Sequence, residues 1–520
     1  MILWFWLFVL GWITYLLLRR SVASQGRTPL WLLWLVLMMP ALIWAMWTLI
    51  FGQSVTPPLW LMLGPFVVCP FVYWLLVRNG LSSSSQERSS PPLELSKSAK
   101  EALIQRVQQI EATKKKEDPR PLSKEEEADL KHCFPWNLFA LHQVEYRLQA
   151  VICQGQLRAD PSEAYQRIQT NINDRFGDRF LVLLQENWTG KPFFALVPNV
   201  QAQVPAEMRV KMSVVTSQRK LSETAPNAFY RPGLALGLLL ITLFTTTFVG
   251  TIFAGVPLES LADLGDRPEL LWQGFPYGVS LLLILGSHES GHFLTARHYR
   301  IATTLPYFIP IPSFLGTFGA FIQIKSPIPH RRALFDVSFA GPAAGLIFAI
   351  PFLWWGIAHS EVIPLTQESG IMNFQSLNPW GSLLIAVLSR ISLGSSLSID
   401  TALNLHPIAI AGYLGIIVTA LNLMPVGQLD GGHIVHAMFG QRTGAIVGQM
   451  TRLFMLLLSI RQSEFLLWSL LLLFIPVVDE PALNDVSELD DGRDFLGFLA
   501  LGFLLLIILP MPHFLRDLIL

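Results

Sequence analysis

Apolar residues run in long blocks along this chain, at 2–18, 29–51 and 59–77, then at 233–255, 272–294, 335–358, 404–424, 445–460, 463–478 and 494–511. A helix needs about 20 apolar residues to cross a bilayer, so the pattern predicts a helical, multi-pass membrane protein. A shorter block, "WGSLLIAVLSRISLG" at 380–394, carries Arg390 and predicts an interfacial or re-entrant segment. Between the two sets of blocks the pattern changes. "NGLSSSSQERSSPPLELSKS" is a serine-rich connector. The stretch "AKEALIQRVQQIEATKKKEDPRPLSKEEEADLKH" reads as a helix and a turn, with the lysines at 114–116 and glutamates at 125–127 on solvated faces. From Val144 to Pro198 strand and helix patterns mix. "EYRLQAVICQGQLR" alternates as a strand, and "PSEAYQRIQTNINDRFG" is a helix with Asp160 at the N-cap, Pro161 at N1 and a stop at Gly177. "RFLVLLQE" and "PFFALVP" read as two more strands across "NWTGK", which gives a small β-α-β-β domain.

Composition narrows the class. Of 520 residues, 52% are hydrophobic and 14% charged, with zero formal net charge. A soluble domain cannot hide that much apolar surface, and the charge balance offers no footprint for nucleic acid. Cys69, Cys133 and Cys153 form no CxxC pair and no metal-spaced cluster, so they read as isolated thiols. The apolar run starts at Ile2, with Arg19 and Arg20 after it, which suits a retained anchor and a bacterial membrane better than a cleaved signal or an organelle precursor.

Loop charge sets an expected orientation. Arg19, Arg20 and Arg27 place the first loop inside, "FGQSVTPP" lies outside, and Arg78 with residues 79–231 lies inside. The acidic "ESLADLGDRPE" is outside, so the span at 272–294 runs inward. The span at 335–358 returns outward and the segment at 404–424 runs inward again, which requires that 380–394 not cross fully.

The chemistry sits at the inner end of the 272–294 span, just before Arg297 and Arg300, where "HESGH" occupies residues 288–292. Ionisable groups in such a segment are costly, and they mark function by default. Residues four apart share a helical face, so His288 and His292 can hold one Zn²⁺, with Glu289 placed to take a proton from an attacking water and pass it to a leaving amine. Two histidines satisfied by helix neighbours, with Glu289 paired to Arg297 or Arg300, is the bland alternative. Catalytic zinc takes three protein ligands and leaves a position open. The candidate third ligand is Asp430 in "NLMPVGQLDGGH" (422–433), where Pro425 and Gly427 break an apolar segment. Non-helical backbone at that depth is tolerated when it lines a cavity or is buried in protein. An aspartate capping a helix before Gly431 is the other reading.

HESGH followed by N-x-x-P-x-x-x-L-D-G-G resembles the site-2 protease family of intramembrane zinc metalloproteases. The resemblance implies His288, His292 and Asp430 as zinc ligands, Glu289 as catalytic base, and Asn422 as an aid to substrate or transition-state binding. "FAGPAAG" at 339–345 is similar to the family's glycine-proline signature, and no role is carried onto it. "GQLR" at 155–158 resembles the GNLR motif of the chloroplast and cyanobacterial branch named for an ethylene-dependent gravitropism-deficient and yellow-green (EGY) phenotype; Gln156 replaces the asparagine. The proline- and glycine-rich "LPYFIPIPSFLGTFGAFIQIKSPIP" resembles the family's membrane-associated hairpin. Gly316 and Gly319 are expected there for close backbone approach, and "GAFIQI" (Gly319, Ala320, Phe321, Ile322 and onward) as an edge strand that binds unwound substrate. An ordinary interfacial loop is the alternative.

His433 and His436 read as support or packing beside Asp430, while His132, His142, His330, His359, His406 and His513 stand alone. The expected organisation is N-terminal transmembrane segments (1–78), a charged linker and helix (79–143), a soluble cytoplasmic α+β domain (144–231), a site-2-protease-like catalytic transmembrane core (232–440) and C-terminal transmembrane segments (441–520). The resemblance implies a zinc endopeptidase acting on transmembrane proteins in a bacterial, cyanobacterial plasma or thylakoid membrane, with its active site toward the cytoplasm. A zinc hydrolase of the prenyl-protein-processing type draws its third ligand from glutamate. A metal-binding transporter would not need Glu289, and an inactive scaffold would not need every motif member.

Overall fold

The computed structural model describes residues 11, 30–51, 122, 124–147, 150–187, 189–199, 231–256, 267–311, 315–367, 369–512 and 514–516. The apolar blocks at 2–18 (apart from residue 11) and 59–77, the serine-rich connector, the lysine run and most of the acidic loop lie outside the described residues. The chain divides into two units, Met1–Glu117 and Asp118–Leu520. In the first, α1 (Leu30–Phe51) is a 22-residue apolar helix whose Trp34 indole N–H donates to the Gly11 carbonyl at 2.8 Å.

The second unit opens with α2 (Lys124–His132), β1 (Phe139–Arg147), β2 (Ala150–Leu157), α3 (Pro161–Phe176), β3 (Phe180–Glu186) and β4 (Pro192–Pro198). The strands form one antiparallel sheet in the order β1-β2-β4-β3. Its core joins Leu130, Phe139, Cys153, Ile168, Leu184 and Phe194. The domain is therefore ββαββ, one strand more than the pattern predicts. The alternating run reads as one strand because no glycine, proline or asparagine punctuates the reversal between Arg147 and Ala150. The helix signals hold: the Asp160 side chain accepts from the Ser162 and Glu163 N–H groups, Pro161 opens α3, and Gly177 ends it at φ 60°. In "GQLR", Gly155 lies against Phe139, where a Cβ would come within 2.5 Å of the ring, and Arg158 stacks 3.8 Å from the Trp136 ring centroid. Cys133 and Cys153 are free and buried, and burial pushes the Cys153 thiol up to about 12, so it is inert.

The remaining elements are mostly helical: α4 (Pro232–Phe253), α5 (Leu271–His298), a hairpin of β5 (Tyr307–Pro310) and β6 (Thr317–Phe321), α6 (Arg331–Ala358), β7 (Glu361–Pro364), α7 (Leu383–Leu393), β8 (Thr401–Asn404), α8 (Pro407–Leu423), α9 (Asp430–Phe439), α10 (Gln441–Arg461), α11 (Leu466–Phe474) and α12 (Asp491–Ile508). Among the described residues four helical stretches are long and apolar enough to cross a membrane: Pro232–Phe253, Pro268–His298, Arg331–Ala358 and Gln441–Ile460. They turn large apolar side chains outward, such as Leu240 and Phe244 on α4 and Met450 and Leu457 on α10, as a lipid solvent allows and water does not. The block at 463–478 forms only the nine-residue α11, which stops before Pro476. Within 380–394 the helix α7 is 11 residues long, shorter than a membrane span needs. β7 pairs with β8, and the Leu365 N–H donates to the Asp400 carbonyl at 2.8 Å, so the chain that leaves toward α7 returns beside its point of departure.

One short segment ties the sheet domain to the helices. Leu184 of β3 exchanges backbone hydrogen bonds with Leu483 (2.7 Å) and Asp485 (2.9 Å), while the Leu483 and Asn484 N–H groups donate to the carbonyls of Ile328 (2.8 Å) and Pro329 (3.0 Å).

Candidate active site

α5 and α6 pack along their length, and α8 closes the third side. On α5, His288 and His292 face inward at 3% and 8% exposure. The His292 Nδ1 lies 2.7 Å from the Val337 carbonyl oxygen. A carbonyl can only accept, so Nδ1 carries the proton and Nε2 keeps its lone pair for a metal.

Asp430 reaches this pair because the chain turns sharply after α8. Gly427 sits at φ +49° against the Pro476 carbonyl, and a Cβ on Gly431 would come within 1.9 Å of the Leu423 oxygen. Only glycine permits that approach of α9 to the end of α8. The side chain of Asp430 makes no N-cap bond; the cap position is Leu429. That removes the helix-capping reading. Asp430 Oδ2 lies 3.6 Å from His288 Nε2 and 3.4 Å from His292 Nε2, and the two Nε2 atoms are 3.2 Å apart. Donors on a tetrahedral Zn²⁺ at about 2.0–2.1 Å would be about 3.3–3.4 Å from one another. The three donors therefore fit one zinc ion, and they are the only His/Cys/Asp/Glu trio of that kind among the described residues. Asn422 Nδ2 lies 3.1 Å from His288 Nε2, at the rim of the same site.

"Peptidase family M50" matches residues 277–460, the stretch that holds all three donors, Glu289 and Asn422. The chain carries a peptidase family M50 domain. "EGY3 middle domain" matches 128–205, the sheet domain. Three Arabidopsis thaliana proteins are similar beyond these stretches. "Probable zinc metalloprotease EGY1, chloroplastic" is 29% identical over 378 residues, 70% of this chain and 66% of that protein. "Probable zinc metalloprotease EGY2, chloroplastic" is 28% identical over 384 residues (73% and 63%), and "Probable zinc metallopeptidase EGY3, chloroplastic" 25% over 379 (70% and 62%). The chain thus spans just under two thirds of these relatives' length. No solved structure matches.

Within the M50 domain the structure assigns contacts that the sequence reading left blank. "FAGPAAG" lies on α6 directly behind the histidines. A Cβ on Gly341 would fall 2.1 Å from His292 Nε2, and one on Gly345 3.2 Å from His288 Nδ1. The signal was present: glycines four apart repeat the spacing of the histidines they face. Gly291 does the same from the other side, against the Ala340 carbonyl.

The hairpin lies beside this site. Thr245 donates to the Gly316 carbonyl at 2.7 Å and Tyr277 to the Leu315 carbonyl at 3.0 Å, which anchors its tip to α4 and α5. β6 begins earlier than expected, at Thr317, and pairing resumes at Ile324 opposite Thr303. The Ile322 N–H is directed at the Glu289 carboxylate. Gly316 (φ +82°) does pack against the α4 backbone. Gly319 has open space around it, and its φ of +103°, not close approach, demands glycine.

Two of the histidines without an assigned role cap helices: His330 accepts from the Ala333 N–H and His406 from the Ile408 N–H. His433 and His436 converge on Asp479, a residue sequence reasoning missed because it lies more than forty positions away in an irregular segment.

Proposed function

We propose that the protein is a zinc-dependent intramembrane endopeptidase that hydrolyses peptide bonds within or near transmembrane helices of other membrane proteins. The observation that carries this reading is the convergence of His288, His292 and Asp430 at tetrahedral spacing, beside Glu289, at one end of an apolar helix. Relatives named zinc metalloproteases support it. In this reading the two imidazoles and the carboxylate hold Zn²⁺, which when bound supplies a Lewis acid for water and carbonyl. Glu289 takes the proton of the attacking water and returns it to the leaving amine. Asn422 donates to the substrate carbonyl as charge develops, and Gly319, Ala320, Phe321 and Ile322 receive the unwound substrate as an added strand. The bilayer delivers the substrate. The enzyme belongs, on this proposal, to a bacterial membrane of the cyanobacterial kind, with the site toward the cytoplasm, although the relatives matched are chloroplastic.

Glu289→Gln tests the assignment. The amide cannot accept the proton, so the variant is expected to bind zinc normally and lose cleavage by at least about 100-fold. His288→Ala and Asp430→Ala are expected to lose both zinc and cleavage. Cleavage at the wild-type rate by zinc-loaded Glu289→Gln would refute the proposal.

A further inference from the structure

The M50 match ends at residue 460 and the middle-domain match at 205, yet a segment outside both joins them. Asp485 is the crossing point. Its backbone N–H donates to Leu184 in the sheet domain. Its carboxylate accepts from His436 Nε2 at 2.9 Å and lies 3.5 Å from Arg331 Nε. His436 is on α9, the helix that begins with Asp430, and Arg331 is the first residue of α6, which carries Gly341 and Gly345. A single side chain therefore touches two of the helices that shape the zinc site, α6 and α9.

The other nitrogen of His436 meets Asp479 Oδ2 at 2.6 Å, and His433 Nδ1 meets the same oxygen at 2.9 Å. A carboxylate only accepts, so both nitrogens of His436 carry protons and the ring is a cation held between two anions. His436, Asp479 and Asp485 are 1%, 8% and 3% exposed. Such ties hold firmly where water is excluded. α9 needs them. Its second and third residues are Gly431 and Gly432, and glycine is the poorest helix former after proline. The turn that presents Asp430 is thus weak by itself and is pinned from outside at His433 and His436.

We infer that His436 and Asp485 are positioning residues for the zinc site, and that through them seating of the sheet domain on residues 482–485 is a condition for full zinc affinity. The inference rests on the zinc reading above. It is tested on the full chain with four variants: Asp485→Ala, its conservative counterpart Asp485→Asn, His436→Gln, and Leu483→Pro, which removes the N–H that bonds Ile328 and so loosens the segment on which β3 of the sheet domain sits. Zinc affinity of the folded fraction is read by competition with a fluorescent chelator, and amide exchange is read over residues 429–436.

Asp485→Ala, His436→Gln and Leu483→Pro are each expected to raise the zinc Kd at least about tenfold and to speed exchange over 429–436. Asp485→Asn, which keeps an acceptor, should fall between. The double variant Leu483→Pro with Asp485→Ala should be little worse than the worse single, because both cut one path. Folded Asp485→Ala with wild-type Kd and wild-type exchange overturns the inference, whatever becomes of Leu483→Pro. If wild-type protein binds no zinc, the protease reading falls, and the exchange comparison in zinc-free protein still decides whether Asp485 governs α9.

Discussion

At the scale of single residues, the zinc site depends as much on side chains that are missing as on those that are present. Gly341 leaves the space that His292 fills, and a methyl there would lie 2.1 Å from Nε2, the nitrogen left free to bind a metal. The imidazole cannot retreat without breaking the Nδ1–H bond to Val337 that fixes its tautomer. Gly341→Ala is therefore expected to yield protein with most of its zinc lost, at an overpacking cost of about 1–3 kcal/mol. Gly345→Ala, whose Cβ would meet His288 Nδ1 at 3.2 Å, should keep more than half. Metal analysis of the two purified variants checks both; equal zinc in Gly341→Ala and wild type would show that the helices part easily. The contrast explains what was legible. HESGH announces itself because metal chemistry dictates both residue type and spacing. A glycine's role depends on what stands opposite it in space, which the sequence around 341 does not state.

At the scale of elements, the helices were legible and one reversal was not. Long apolar blocks located α4, α5, α6, α8 and α10 to within a few residues, since burial in lipid leaves little choice of structure. The β1–β2 reversal was missed because both arms alternate and no turn residue separates them, and β6 was expected two residues late because Gly319 is a bend within it. The hairpin carries the sharper prediction. A helical substrate must unwind to be cut, and each freed backbone group costs several kcal/mol in lipid unless it finds a partner. Phe318 and Phe321 of β6, and Ile324 just past it, are exposed. The Ile322 N–H also lies near the Glu289 carboxylate. Ile322→Pro removes that donor and stiffens the chain just past β6, so cleavage of a transmembrane substrate should fall at least tenfold with zinc retained, about 1.4 kcal/mol or more in transition-state binding. An extended, soluble peptide should lose less. Equal losses on both substrates would mean that the N–H serves Glu289 alone and that the strand is no clamp.

At the scale of the whole molecule, the sheet domain and the helices meet through buried charge, so their union should respond to pH. Four charged or titratable groups surround His436 from two helices and the 479–485 segment: Asp479 and Asp485 bond it directly, while His433 of α9 and Arg331 of α6 pair with those two carboxylates. Burial alone would lower the His436 pKa, but the bonds to Asp479 and Asp485 outweigh it and raise it to about 9 from an ordinary 6.5. A group whose folded pKa is raised contributes fully below its unfolded pKa and loses that contribution as pH rises through the folded one. Burial would likewise raise Asp479, yet its bonds to His433 and His436 hold it down at about 2, so its share is full at neutral pH and fades only as pH falls toward 2. The tie should therefore be intact from about pH 4 to 6.5 and weaken above that, by on the order of 2–3 kcal/mol by pH 9. His436→Gln has no such proton to lose. The melting temperature of the wild-type chain is expected to fall between pH 6.5 and 9.5, while that of His436→Gln starts lower and stays nearly level over the same range. Parallel curves for the two proteins would mean that the His436 cation does not hold the domain in place.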